Sequence, residues 1–401
     1  MSRFELRPTV LALWVAGCLS ASLVHAQSLP AGALPVQATN WLQKGQRPDY
    51  LVNGQAAQVN LKGPATVLNW NSLDVGKDAS LKFNMVNPAD RVLNNVSGGA
   101  INNRTTIDGL LQSNGQVYIY NPNGIVFSKT ATVDVNALVA SSLKIDDQRF
   151  MDGLLLPSMQ AQLQADASLG RLPGAVVVQG DAAGGVLQQA AITAAKNGFI
   201  LLAAPTVSNA GKLSAPDGQV ALAAGTRVFL AAPSSAAMRG LLVEVGSQDL
   251  AALAATQDFK PTASNEALGR VDVQHGNATL VGRMVNQQGL VSANTSVSLN
   301  GSIYLKAQDN AIKQSAESPA MAQLGGQLLL GAGSQNLIAP DVQDTATAIK
   351  SAGYKPSEVQ LAGQSIVLES GSLVRLTIDD KTYTTTAGSA LPMKYSISAL
   401  W

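Results

Sequence analysis

The stretch Gln116-Val117-Tyr118-Ile119-Tyr120-Asn121-Pro122-Asn123-Gly124-Ile125-Val126-Phe127 decides how this chain is read. Two short apolar runs flank Asn-Pro-Asn-Gly. In that tetrapeptide Pro122 fixes φ, Asn123 tolerates the left-handed region, and Gly124 takes positive φ without steric cost. The stretch therefore reads as a strand, a tight turn and a second strand.

The same unit recurs along the chain. Gly109 is followed eight residues later by Val117-Tyr118-Ile119, and Gly289 eight residues later by Val297-Ser298-Leu299. Gly211 is followed nine residues later by Val220-Ala221-Leu222. Each interval contains Ser-Asn, Ser-Ala-Pro or Ser-Ala-Asn. Further short strands are predicted at Ala65–Trp70, Ser80–Met85, Gly198–Leu202, Leu241–Val245, Ser302–Leu305, Gln327–Leu330 and Ser365–Leu368. Ile200 and Val220 stand 20 residues apart, a solenoid-like period. Units this small cannot bury a face alone and must stack on their neighbours. An all-β parallel β-helix follows. A β-sandwich, which also has many short strands, is the alternative; the recurring Gly-x-Val-x-Leu favours the solenoid.

Four stretches interrupt the pattern: Arg149–Leu172, Asp249–Leu268, Ala307–Gly325 and Pro340–Val359. They read as short helical or loop insertions, with a helix expected over Met159–Ala165. Regular β structure is expected from Gly54, after a cap-like Gln27–Asn53.

Composition agrees with stacked strands. Of 401 residues, 46% are hydrophobic, 13% charged and 4% aromatic. The charged share is about half the usual roughly 25%. A formal charge of +1 without a Lys/Arg stripe points away from nucleic acid and from anionic membrane surfaces.

Residues 1–26 read as a signal peptide: Arg3 and Arg7, an apolar Val10–Val24, and Ala26 at the cleavage point. Val15-Ala16-Gly17-Cys18 also resembles a lipoprotein box, so a surface-anchored lipoprotein acylated at Cys18 is a second reading. Cys18 is the sole cysteine, and cleavage after Ala26 leaves a mature chain without disulfides. That suits a chain which crosses a second membrane unfolded.

Catalytic and metal-binding patterns are absent from the sequence. His275 is the sole histidine after the signal and reads as a turn residue. No cysteine pair, His-x-x-x-His, Gly-x-Ser-x-Gly elbow or phosphate loop is present. The pairs Asp146-Asp147 and Asp379-Asp380 would point to opposite faces of a strand. No catalytic, metal or cofactor residue is assigned. A polysaccharide-acting β-helix enzyme is the rival reading, and it would need charged groups converging from several rungs.

Several motifs in a fixed order resemble the filamentous haemagglutinin family. Thr66–Gly76 is similar to its early Asn-Trp-x-Ser pattern, and Val92–Gly99 to its Leu-Asn-Arg/Asn-Val-x-Gly-Gly. Ile107–Ile125 resembles its most specific block, and Val135–Ser142 the segment after it. The Asn-Pro-Asn-Leu element of some members is missing; Asn94-Asn95 and Asn102-Asn103 occupy its general region. The resemblance implies the amino-terminal domain of a two-partner secreted exoprotein and a right-handed parallel β-helix. It places a secretion domain at 27–300, with core motifs at 50–145, and further β-rich repeats or an extension at 301–401. It implies recognition by periplasmic domains of an outer-membrane β-barrel transporter, and release to the surface of a Gram-negative bacterium. Adhesion or haemagglutination through a host-cell receptor or glycan is the expected role. Asn121, Pro122, Asn123, Gly124 and Ile125, with Asn94 and Asn95, are the expected transporter-recognition and turn residues.

Overall fold

The computed structural model describes residues 29–96, 103–153, 161–231, 241–247, 259–296, 299–312, 321–344, 357–378, 381–386 and 394–399. The signal with Cys18, Ser97 to Asn102, Met159-Gln160, Val297-Ser298 and Asp379-Asp380 lie outside them, as do parts of the last three insertions.

Three long sheets account for most strands. Sheet one has 12 strands, from Val36–Lys44 to Lys394–Ala399; sheet two has 12, from Asp49–Asn53 to Lys381–Thr386; sheet three has 8, from Thr105–Ile107 to Ser365–Leu368. The chain visits them in rotation. Leu110–Ser113 lies in sheet two, Gln116–Tyr120 in sheet one and Ile125–Phe127 in sheet three. Thr132–Val135 then returns to sheet two, in parallel register beside Leu110–Ser113. Ile200 pairs directly with Val220, as their spacing requires. The chain is a parallel β-helix, and the sandwich alternative is excluded.

Side-chain alternation explains the walls. In sheet two, Val133 and Val135 point into the core while Thr132 and Asp134 are exposed. Sheet one differs, because Gln219–Ala224 is buried at every position. A second layer covers its outer side. The helix Asp147–Gly153 and the antiparallel strands Ala161–Gln164, Arg227–Ala231 and Leu242–Gly246 form that layer. Outward Leu93, Tyr118, Val139 and Leu201 share a buried cluster with Phe150, Leu163, Val228 and Val245. Each large side chain buried this way contributes roughly 1.5–3 kcal/mol. Arg91 fastens the helix, donating to the carbonyls of Phe150 (2.9 Å) and Met151 (2.8 Å).

The first rung is closed from outside. Val36–Lys44 lies antiparallel on Ala65–Ser72, so strand structure begins before Gly54. Trp41, Tyr50 and Trp70 meet at centroid distances of 5.6–5.8 Å over the end of the core.

Other expectations need correction. Ala161–Gln164 is a strand and not part of a helix. Its Ala and Gln favour helix, but pairing with Arg227–Ala231 and burial of Leu163 prevail. The helix lies earlier, where Asp146 accepts the Arg149 amide (2.8 Å) and Asp147 adds an acidic first turn. The Asp146-Asp147 pair thus begins a helix instead of lying on a strand. The Gly289 unit departs from its Gly211 counterpart. After Leu290–Thr295 the next strand of sheet one begins at Ser302, because a turn around Ser296 and Asn300 intervenes. Thr262–Asn265 is a regular strand of sheet three inside a predicted insertion. Ser302–Ile312 runs into another insertion and forms a hairpin with Met321–Leu324.

At one corner the rungs approach through glycines. A Cβ on Gly218 would lie 1.9 Å from the Gly198 carbonyl oxygen, and one on Gly276 would lie 1.9 Å from that of Gly218.

Candidate functional site

The Asn-Pro-Asn-Gly segment forms the corner between sheets one and three. Along Gln116–Tyr120, Val117 and Ile119 enter the core while Tyr118 and Tyr120 face the covering layer. The chain then turns. The Asn121 carbonyl accepts the Gly124 amide (2.9 Å), and its side-chain oxygen accepts the Asn123 amide (2.9 Å). The Asn121 Nδ2 donates to the Asn103 carbonyl and to Thr105 Oγ1, both at 3.0 Å. Gly124 has φ of 102°. Asn123 does not take positive φ; it acts through its side chain. Its Nδ2 donates to the Asn103 carbonyl (3.3 Å), and its Oδ1 accepts from Arg171 Nη2.

A returning segment covers this turn. The Gly174 amide donates to the Pro122 carbonyl (2.9 Å), and the Ile125 amide to the Ala175 carbonyl (3.0 Å). A Cβ on Gly174 would stand 2.1 Å from the Asn123 carbonyl oxygen, so only glycine allows so close an approach. Asn121, Gly124 and Ile125 are consequently buried, while Pro122 and Asn123 are half-buried.

Asn94 and Asn95 separate by strand parity. Asn94 points inward and is fully buried. Its Oδ1 accepts the Trp70 indole N–H (2.9 Å), and its Nδ2 donates to the Tyr118 carbonyl (3.0 Å). Asn95 points outward beside Tyr120 and donates to Asp147 Oδ1 (3.2 Å). The structure therefore brings Asn95 near the corner and turns Asn94 into the core. Asn94→Ala leaves the indole N–H of Trp70 without its acceptor. The expected loss is about 1–3 kcal/mol, measured by denaturant unfolding.

Sequence reasoning gave no role at this corner to Asn103, Thr105, Asp147, Arg171 or Gly174. These partners lie 16–52 residues from the groups they bind, or bind through backbone that has no sequence signature. Burial, reinforced by Asp166, pushes the Tyr120 phenol up to about 12, and burial pushes Tyr118 up as well. Neither phenol titrates near neutral pH. Among the described residues no group of three His, Cys, Asp or Glu is placed to hold a metal. None of the described helices is long and apolar enough to cross a membrane.

These features define a parallel β-helix domain with an Asn-Pro-Asn-Gly corner and one covered wall. Residues 26–318 match the family model of the TPS secretion domain, and the chain belongs to that family. The crystal structure of the HMW1 secretion domain from Haemophilus influenzae shares the fold. It aligns with a TM-score of 0.55 and 20% identity, covering 74% of this chain and 72% of that one. The chain is also similar to the heme/hemopexin-binding protein of Haemophilus influenzae strain Rd, at 31% identity over 93 residues. A second heme/hemopexin-binding protein of that species is 34% identical over 79 residues. These matches take in 23% and 20% of this chain, but only 10% and 8% of the relatives. Family membership implies a two-partner secretion exoprotein, a β-barrel outer-membrane transporter as partner, and passage across the outer membrane of a Gram-negative bacterium.

Proposed function

We propose that the Asn121–Ile125 segment helps the transporter select this chain, and that it acts before its own rung closes. The observation that supports this is the burial of Asn121, Gly124 and Ile125 beneath the segment ending at Ala175. In the folded rung the Asn121 amide is committed to Asn103 and Thr105. In an open chain the same amides and Ile125 are available to a receptor. Rung closure then withdraws them and favours release. Asn95 supports the corner through Asp147, and Asn94 contributes by orienting Trp70.

The test is export with the cognate transporter supplied. Asn121→Ala/Asn123→Ala should reduce the secreted fraction severely, while Arg171→Ala should retain export because it alters only the cover. Unchanged secretion of the double variant sinks the recognition role. A loss confined to the folded yield of purified protein, with export intact, would reassign both residues to the turn alone.

Once outside, the chain serves surface attachment in this reading, through a host-cell receptor or glycan. Two relatives are heme/hemopexin-binding proteins, which makes heme or hemopexin the specific alternative ligand. Binding of the exported chain to host cells, with and without hemopexin as competitor, decides between them.

A further inference from the structure

We propose that Asn209, Asn265 and Gln287 form a register key that decides where the rung Thr262–Gly282 seats on the rung before it. The inward column of sheet three is apolar at Phe127 and Val178, becomes Asn209, Asn265 and Gln287, and returns to leucine at Leu330. All three amide side chains are fully buried. Asn209 Nδ2 donates to Asn265 Oδ1 (2.8 Å), and Asn265 Nδ2 donates to Gln287 Oε1 (2.8 Å). Gln287 Nε2 passes the chain on to the carbonyls of Gly289 (3.0 Å) and Gln335 (3.1 Å). At the other end Asn209 Oδ1 accepts the Gly211 amide (3.1 Å). The hydrogen bonds run in one direction, and each amide relies on the position of its neighbour in the next rung.

The place of this column in the chain marks its task. Pro205 alone joins Ala204 to Thr206, and Arg283 alone joins Gly282 to Met284, so those strands are held in step by short links. Between Ala224 and Thr262 the chain instead leaves the three long sheets and builds two strands of the covering layer. Short turns fix register, and a link of this length does not. The Asn209–Asn265 pair stands where the chain comes back.

Apolar patterning leaves the returning rung a choice. A one-residue slip would turn core residues outward, but a two-residue slip keeps strand parity. Shifted by two, the rung would bring Leu280 opposite Val220 and Val273 opposite Leu213, apolar on apolar in both sheets. In sheet three the same shift would bring Asn265 opposite Val207. Asn209 and Asn265 would then lose each other inside the core, where an unpaired polar group costs more than a made hydrogen bond returns. The key acts by penalising the alternative, the best-attested use of buried polar groups.

Disulfide trapping in the full chain reads the register. Cys18, the sole cysteine of the sequence, is replaced by serine throughout. Thr206→Cys/Thr262→Cys reports the native register, because these residues are direct partners, about 5 Å apart. Thr206→Cys/Ser264→Cys and Ser208→Cys/Thr262→Cys report slips of two residues in either sense. In the native register each of these pairs stands about 8 Å apart between Cα atoms, too far to bridge. Native cross-linking should exceed slipped cross-linking by about tenfold or more, the scale set by one orphaned buried amide. Adding Asn209→Val/Asn265→Val should raise a slipped yield about tenfold against the native one, while circular dichroism still reads a β fold. A double variant that cross-links only in the native register overturns the proposal and leaves register to the backbone and the Gly218–Gly276 corner. Equal native and slipped yields without the Val substitutions overturn it as well. If the double variant does not fold, Gln287→Leu carries the same reading one rung on. Thr262→Cys/Met284→Cys is then the native pair and Thr262→Cys/Asn286→Cys the slipped one, and no rise in the slipped yield is the overturning result.

Discussion

Gly218→Ala is expected to lower unfolding stability by about 3 kcal/mol, at the upper end of overpacking effects. The added methyl would stand 1.9 Å from the Gly198 carbonyl oxygen and 2.9 Å from its carbon. Both are backbone atoms, so no rotamer change relieves the overlap. The same carbonyl accepts the Gln219 amide (3.1 Å), and the Gly218 carbonyl accepts that of Asn277 (2.9 Å). Forcing the corner apart weakens ladders on both sides of the rung. Gly325→Ala is the control, because its nearest neighbour would be 3.8 Å away. Its expected effect is within about 0.5 kcal/mol. Denaturant midpoints at matched slope compare the two, and equal midpoints would contradict the steric account.

Glu244→Ala is expected to cost still more, about 3–5 kcal/mol. Glu244 lies in the covering layer with its side chain 6% exposed, and Lys306 Nζ, 8% exposed, lies 3.2 Å from its Oε1. Gln308 Nε2 donates to its other oxygen. Burial pushes the Glu244 carboxyl up, and Lys306 draws it back. Removing the carboxylate leaves an ammonium group enclosed without its counter-charge. Glu244→Leu/Lys306→Met removes both charges and should recover most of the loss, since apolar replacement of a buried pair is often neutral or better. A double variant no more stable than Glu244→Ala would show that the layer needs this pair for packing geometry and not for charge balance.

Much of the fold was legible because its rules are local and repeated. The glycine-led units at Gly109 and Gly211, and the spacing of Ile200 from Val220, follow directly from stacking small strands. The Gly289 unit misled because its turn carries an excursion around Ser296 that neither periodicity nor composition signals. The strand Ala161–Gln164 misled because the partner that sets its conformation lies far along the chain. At the corner, the turn chemistry of Asn121 and Gly124 was readable from four residues. The cover supplied by Arg171 and Gly174 was not, since it depends on where a long insertion returns. His275 was legible as a turn residue, but its two carboxylate neighbours come from other rungs.

The covering layer decides which wall of the β-helix is free to vary. With the outer side of sheet one enclosed, its outward residues answer to the layer that covers them. Sheet two keeps an open column: Gln58, Lys82, Gln112, Asp134, Thr193, Ser214, Asp272, Ser292, Leu337 and Arg375 succeed one another in register. Nine of these ten side chains are polar, and each lies between inward residues that hold the core. The column works as a ruled margin with one character per line. Substitutions can rewrite it rung by rung, changing the surface the chain presents without disturbing how it folds.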